Sequence, residues 1–488
     1  MLKIFNSLKE KDEKAINNYK LDSSILMEIA ARGLKEKIVE IAYKNEKFYR
    51  LYKKGFCYNI PQKKTIQIVC GTSDNGGDGL VLSRILQDEF NVITSLPFSP
   101  KSYMCKLQKE RLDLLGIKVQ ENVTNECDIL VDALFGTGFK GEVKSEYVPI
   151  LKRMNEIKAY KIALDVPSAL DIEGVPQQEC FRADKTISIG ALRYQLFSSL
   201  AKDYVGSINL VRLPLPNAKY EEETNMFFLQ KEDIKMPHRK LQNVNKGTFG
   251  HIAIIQGEKA GASQLVAGAA LAFGAGLVTI CGENAIFTKP DYMVSKEIPE
   301  NINCIAIGQG LGRLQQQVFN TFLQFFIKHK EISLVLDADV FFYREISFIL
   351  ENAKNVVLTP HPKEFCVLLK NTIGIQTDVE NVRREKRHFM NVFCNKYPNT
   401  ILLLKDCNTF IGKENNIYIN AFGSSSLAKG GTGDVLTGLI ASLLAQGYSP
   451  LNAAIVASMS HAIASHKIKN DYALTATSLI KGISKIKI

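Results

Sequence analysis

The sequence predicts an α/β protein of two domains, each built around a mostly parallel sheet. Three observations carry that reading. Short apolar runs of strand length alternate with helically spaced apolar positions through most of the chain. Glycine-rich segments recur where such a run gives way to a helix pattern. The length of 488 residues exceeds what one ordinary core accommodates.

In chain order, residues 65–70 read as a buried strand. A glycine-rich turn follows, and Leu80, Val81, Leu82, Ile85 and Leu86 then fall at helical spacing. Residues 129–131 and 161–164 read as two further buried strands. Pro214, Pro216 and the acidic run Glu221, Glu222 and Glu223 mark a boundary, which places one domain at 1–215 and a second at 226–488. The second half restarts with a strand at 251–255, followed by strands at 305–307, 333–336, 355–358 and 400–404. Val435, Leu436, Leu439, Ile440, Leu443 and Leu444 form the apolar face of a helix expected to start directly after a glycine run. No clear repeat relates the halves.

Composition excludes several classes. The ten cysteines are scattered and none forms a C-x-x-C pair, which argues against a zinc ribbon or redox dithiol and for reduced thiols in a cytoplasmic protein. The net charge of +11 comes from basic residues spread along the chain without a nucleic-acid module. A lysine-rich surface explains it, no nucleic-acid partner is expected, and the charge also suits an anionic dinucleotide. The first twenty residues are charged throughout and lack the apolar core of a signal peptide. Residues 260–282 carry no charge over about the length of a membrane span. They are nevertheless rich in Gly and Ala and contain Ser263, Gln264 and Thr279, so a buried helix followed by a buried strand is expected, and no membrane association.

The chemistry of the second half centres on Lys429, Gly430, Gly431, Thr432, Gly433 and Asp434. A helix start presents unpaired N–H groups and a partial positive charge, and glycines let backbone approach an oxyanion closely, so the run suits a phosphate. It is not a P-loop, because G-x-x-x-x-G-K-[ST] is absent. Asp434 is either a simple helix cap or a base placed to take a proton from an attacking hydroxyl. Other segments flank strands in the same half: residues 245–250, 308–312, 337–339 and 359–365. Loops after parallel strands gather at one sheet edge, where ligands bind in open α/β folds.

This ordered set resembles the NAD(P)H-hydrate dehydratases of the ribokinase-like family, from about residue 226 to the C-terminus. Its most specific pieces are the lysine–glycine run at Lys246, the segment 358–362 and the segment 428–436. Asn245 departs from the family's usual His, and Lys363 and Asp406 from its usual Gly. The resemblance implies a ribokinase-like α/β domain. Asp434 would deprotonate the C6 hydroxyl of a hydrated nicotinamide, which attacks the terminal phosphate of ADP or ATP, with Mg²⁺. Phosphate then leaves, and NADH or NADPH is restored. Ala262, Gly310, His361 and Asp434 would surround the hydrate. Lys405, Asp406, Cys407, Asn408, Thr409 and Gly433 would hold the nucleotide.

In the first half, residues 71–79 lie between a strand and a helix, without G-x-G-x-x-G spacing. Residues 132–138 and 163–168 follow two further strands. These three strand-end loops supply Asn, Asp and Ser oxygens, hard ligands that suit a cation. They resemble the NAD(P)H-hydrate epimerases over about residues 1–215, which implies a Rossmann-like three-layer domain. Asn75, Asp132 and Ser168 would bind K⁺. Asp74, Asn75, Gly76, Gly77 and Asp78 would contact substrate, as would Gly136, Thr137, Gly138, Phe139, Lys140, Gly141 and Glu142. Asp165 would contact the nicotinamide end and shuttle the proton needed to epimerise C6. Departures are more numerous here: Ser73, Asp74, Ile29, Ala169, Arg193 and Gln195. Ala169 matters if its position needs a positive φ.

Together the resemblances imply a bifunctional enzyme that interconverts the R and S hydrates and dehydrates the S form. Its partners would be NADH and NADPH hydrates and ADP or ATP, with a homo-oligomer expected. The alternatives are a ribokinase-like kinase of a vitamin-precursor alcohol with a degenerate N-terminal domain, and a nucleic-acid-binding scaffold built on inactive folds.

Overall fold

A computed structural model of the chain describes residues 1–46, 49–55, 60, 62–283, 285, 291–312 and 315–486. It divides into two compact units: Lys3–Thr224, and Asn225–Ile488 with Met1–Leu2.

The first unit holds a seven-stranded sheet. Its strands lie in the order Val119–Gln120, Phe90–Ser95, Lys64–Cys70, Ile129–Ala133, Tyr160–Leu164, Lys185–Ile189, Ser207–Val211. All neighbours are parallel. Ile66, Ile68, Val131 and Ile162 are fully buried, as strands covered on both faces require. Strand order reverses between Lys64–Cys70 and Ile129–Ala133, which opens a crevice beyond their carboxyl ends.

The glycine-rich segment here differs from the expected turn. The helix already starts at Asp74 and runs to Ile85, so Gly76, Gly77 and Gly79 are helical. A Cβ at Gly76 would fall 2.0 Å from Gly71 O, and one at Gly79 would fall 2.8 Å from both Ala133 Cβ and Cys70 Sγ. Close docking on the sheet therefore overrides the poor helix propensity of glycine, about 1 kcal/mol per residue.

In the second unit the sheet order is Met293–Ser295, Leu277–Cys281, His251–Ile255, Cys304–Ile307, Ser333–Leu336, Val356–Leu358, Thr400–Leu404, Thr409–Lys413, Asn416–Asn420, Met226–Phe228. The strands are parallel up to Thr400–Leu404, and an antiparallel hairpin follows. That hairpin escaped the sequence reading because its apolar runs, Phe410–Ile411 and Ile417–Ile419, are only two and three residues long. The switch in strand order lies between His251–Ile255 and Cys304–Ile307.

The uncharged stretch after residue 260 forms the helix Ala260–Ala272 and the strand Leu277–Cys281. Among the described residues, no helix is long and apolar enough to cross a membrane. Helix Ala260–Ala272 packs against helix Thr432–Ala445 so closely that a Cβ at Gly438 would lie 2.4 Å from Val266 O. The second helix begins at Thr432 rather than after Asp434, with Gly431 at its N-cap (φ +86°). Gly433 and Asp434 consequently sit in its first turn.

Candidate functional site

In the second unit, strand-end loops converge on the start of helix Thr432–Ala445. Lys405 follows its strand directly, and its Nζ donates to Asp337 Oδ1 at 2.8 Å. Thr437, one turn beyond Asp434, donates to Asp337 Oδ2 at 3.0 Å. A Cβ at Gly433 would lie 3.4 Å from Lys405 Nζ, so the glycine leaves room between ammonium and helix start. Lys405 N–H donates to Pro360 O at 2.8 Å, which ties this loop to the one carrying His361.

His361 caps the helix Pro362–Ile373: its Nδ1 accepts from Glu364 N–H at 3.2 Å, and its Nε2 lies 3.2 Å from Glu364 Oε1. Gly310 adopts φ +60°, and a Cβ there would fall 3.0 Å from Ala262 Cβ. Gly310 O also accepts from Lys259 N–H at 3.0 Å.

The electrostatics single out Asp434. Burial pushes its carboxyl up to about 6; Asp337 adds to this, and Lys405 and Lys259 oppose it. Asp434 makes no side-chain hydrogen bond among the described residues, whereas Asp337 is held by Lys405 and Thr437. Burial would push the Lys405 ammonium down, but the Asp337 and Glu364 carboxylates overcome it and hold it above its ordinary value. Glu364 is pushed up to about 7 by burial, against the pull of Lys405. His361 moves down, through burial and then through Lys405.

Several participants were not singled out from sequence. Asp337 and Glu364 stood in quoted loops without a role. His461 had no signal at all. Its Nε2 lies 2.9 Å from Thr432 O, and burial lowers it to about 4, so a neutral imidazole supports the glycine turn from within. Asp406, in the expected nucleotide segment, turns to Lys386 Nζ (3.0 Å) and Arg383 (3.3 Å). Cys407 is exposed, Asn408 is buried, and Thr409 opens the next strand.

The first unit carries a cavity of ≈ 500 Å³ at its crevice. Asp74, Asn75, Asp78, Gly136, Thr137, Gly138, Phe139 and Asp165 line it, together with Arg193, Asp12 and Tyr220. Gly76 and Gly77 instead pack against Gly71 and Met27. Lys140, Gly141 and Glu142 lie outside the lining, and Glu142 borders a separate groove.

Behind the cavity, Asp132 Oδ1 accepts from Ser168 Oγ at 2.6 Å, and Oδ2 from Ser168 N–H at 2.7 Å. Ser168 Oγ accepts from Phe135 N–H at 2.9 Å, while Asn75 Nδ2 donates to Phe135 O at 3.0 Å. Ser168 and Asn75 thus hold the two backbone groups of Phe135, and Asp132 joins them through Ser168. Burial pushes Asp132 up to about 6, against its bonds to Ser168.

Asp165 has φ +67° and Ala169 φ +69°, so both non-glycine residues occupy the left-handed region. Asp165 Oδ1 pairs with Arg193 and accepts from Ile189 N–H at 3.2 Å. Burial raises its carboxyl, with Arg193 opposing. Asp12 and Tyr220 were missed from sequence. Tyr220 stands beyond the prolines taken as the boundary, and Asp12 sits in a charged helix, Lys9–Asn17, that resembles any solvated segment.

Two crevices on parallel sheets, each with a glycine-rich helix start and a buried carboxylate, define a two-domain α/β enzyme that acts on phosphorylated ligands. Comparison with known proteins gives the family. The description NAD(P)H-hydrate dehydratase matches residues 252–486, and YjeF-related protein N-terminus matches residues 23–194. The bifunctional NAD(P)H-hydrate repair enzyme Nnr of Helicobacter pylori is 38% identical over 498 aligned positions, covering 100% of both chains. The Dictyoglomus turgidum enzyme of the same name is 28% identical and covers 97% of this chain and 96% of its own. A crystal structure of the Bacillus subtilis ADP/ATP-dependent NAD(P)H-hydrate dehydratase, co-crystallised with ATP and Mg²⁺, is 24% identical. It covers 54% of this chain and 98% of its own, with a TM-score of 0.45.

The chain belongs to the bifunctional NAD(P)H-hydrate repair enzymes. Matches to both halves leave no support for a lone kinase with a degenerate N-terminal domain.

Proposed function

We propose that Asp434 is the base of the dehydration step and that Asp165 serves the epimerisation pocket. The observation that carries the first assignment is a part-buried carboxylate in the first turn of a helix, without a hydrogen-bond partner of its own among the described residues, beside the Lys405–Asp337 pair. Asp434 takes the proton from the C6 hydroxyl of the S hydrate as that oxygen attacks the terminal phosphate of ADP or ATP. The Gly431, Thr432 and Gly433 amides at the helix start receive the transferring oxyanions. The new phosphate ester is a better leaving group than hydroxide, and the ring nitrogen expels it to restore NADH or NADPH. Ala262, Gly310 and His361 position the hydrate. Lys405, Asp406, Cys407, Asn408, Thr409 and Gly433 flank the nucleotide.

Mg²⁺ would screen the phosphate charge. Among the described residues no group of three or more His, Cys, Asp or Glu is poised to hold an ion, which fits a metal that arrives on the phosphates rather than in a protein cage. K⁺ is the cation proposed for the first unit. Asp132 supplies one buried charge and Asn75 and Ser168 neutral oxygens, a donor set that suits a monovalent ion. Domains at 1–215 and 226–488, cytoplasmic location and homo-oligomeric assembly belong to the same proposal.

The test is to supply purified S hydrate with ATP, and separately with ADP, and follow the NADH absorbance regained by wild-type and Asp434→Asn chains. Near-normal turnover by Asp434→Asn would remove Asp434 as the base.

A further inference from the structure

The cavity of the first unit contains three carboxyls besides Asp165, those of Asp74, Asp78 and Asp12, and Asp12 adjoins Asp165 through the Tyr220–Gly190 contact. Asp12, on helix Lys9–Asn17, lines that cavity, and Tyr220 Oη donates to its Oδ1 at 2.6 Å. Tyr220 lines the cavity too. Its hydroxyl packs against Gly190, where a Cβ would lie only 2.6 Å from Tyr220 Oη. The neighbouring Ile189 N–H donates to Asp165 Oδ1 at 3.2 Å. Asp12 with Tyr220, and Asp165 with Arg193, are therefore adjoining parts of one polar wall. Gly190, at φ +81°, is the residue that lets them meet.

Inverting C6 of a hydrated nicotinamide requires two proton transfers. A carboxylic acid protonates the C6 hydroxyl, the C6–O bond breaks, and water leaves with the bonding pair. The N1 lone pair closes a C6=N1 bond. Water then adds to the other face of C6, that electron pair returns to N1, and a carboxylate takes the surplus proton. One proton is given and one is taken, and nothing else is consumed. Two carboxyls in different surroundings divide such work better than one. Asp165 is ion-paired to a guanidinium, whereas Asp12 is bonded to a neutral phenol.

We propose that Asp12 is the second proton-transfer group of the epimerisation pocket, held in place by the Tyr220 hydroxyl. The proposal rests on the reading of this cavity as the epimerase site. Burial raises the Asp12 carboxyl; the charged and polar groups bearing on it are Tyr220, Arg193, Asp165, Lys11 and Asp78. Its protonated form is thereby favoured relative to that of a solvated carboxyl.

The experiment uses the full chain and purified R hydrate. R-to-S conversion without nucleotide is followed by chromatography across pH for wild type, Asp12→Asn, Tyr220→Phe and Asp165→Asn. ATP-dependent turnover of S hydrate by each variant reports that the chain is otherwise intact. Asp12→Asn is expected to lower the epimerisation kcat about 10²–10⁴-fold and to remove one limb of its pH profile. Tyr220→Phe, which keeps the packing, is expected to shift that same limb with a smaller loss. S-hydrate turnover stays at the wild-type rate in both. Wild-type epimerisation and pH profile in Asp12→Asn, with activity lost in Asp165→Asn, would overturn the role of Asp12 alone. Full activity in Asp165→Asn as well would overturn the epimerase reading of the cavity. Loss of activity in Asp12→Asn with an unshifted profile in Tyr220→Phe would reduce Asp12 to a structural residue and sink the proposal.

Discussion

The two sites treat their central carboxylate in opposite ways. Asp434 has an ammonium nearby, but that ammonium is engaged by Asp337. Asp165 is itself clasped by Arg193 and by Ile189 N–H. The backbones differ too. The residue at the second unit's helix cap with positive φ is a glycine, Gly431, whereas the first unit places Asp165 and Ala169 in that region. Left-handed backbone costs a non-glycine residue roughly 1–2 kcal/mol. The second unit thus has a glycine-capped helix start beside Asp434, although Ala338 next to Asp337 is also left-handed (φ +50°), and the first an ion-paired wall around a cavity. A phosphoryl acceptor needs a base that can take a proton freely, and the Asp434 environment permits that. Epimerisation needs protons moved in both directions, which suits a wall of several coupled carboxyls.

The contrast breaks most sharply at Asp434. Asp434→Asn is expected to lower nucleotide-dependent dehydration by about 10²–10⁴-fold while leaving R/S interconversion intact, measured on one preparation. Equal losses in both reactions would mean that the units do not act separately.

The departures from the family pattern offer a second test. Asp406 stands where the family usually has glycine, yet it partners Lys386, whose side chain is only 1% exposed. Asp406→Gly is therefore expected to destabilise the second unit by about 3 kcal/mol, since it removes the carboxylate paired with a buried ammonium. Denaturant melts should show a lowered midpoint for that unit, whereas an unchanged midpoint would make the pair dispensable.

Protonation gives a third test. Asp434 acts as a base only when ionised, and its carboxyl is raised to about 6. Dehydration kcat/KM should halve near pH 6 and fall about tenfold per pH unit below it. Above that range this group imposes no further gain. A profile flat down to pH 4.5 would exclude Asp434 as the titrating base.

The smallest effect is expected at Ala169. Relief of left-handed strain in Ala169→Gly is offset by greater freedom of the unfolded chain and by loss of a buried methyl, so stability should change by less than about 1 kcal/mol. A thermal melt that moves further would show that the strain is larger than the φ value implies.

Much of this was legible in the residue order. The buried strands at 129–131 and 251–255 announce themselves because both faces are covered, so their apolar runs are continuous. The glycine run before Asp434 stood out as a candidate anion site, since few other residues permit such approach. Helix starts were misplaced by up to a turn, at Asp74 and at Thr432. Glycine reads locally as a helix breaker, and only the sheet surface beneath Gly76 and Gly79 explains its presence inside a helix. The hairpin Thr409–Lys413 and Asn416–Asn420 carries apolar runs of only two and three residues, Phe410–Ile411 and Ile417–Ile419, too short to stand out before its partners were known.

The sequence by itself determined the α/β class and the strand-end loops, and it singled out Asp434 and Asp165 as candidates, because each is written in contiguous residues or a local period. Tertiary structure alone decided which groups share a wall. It joined Asp12 to Tyr220 across 208 positions and Thr437 to Asp337 across 100. It also left Asp434 without a side-chain hydrogen bond among the described residues, while Arg193 clasped Asp165. Such pairings depend on strand order and on the depth at which each loop is buried, and neither is encoded within any one segment.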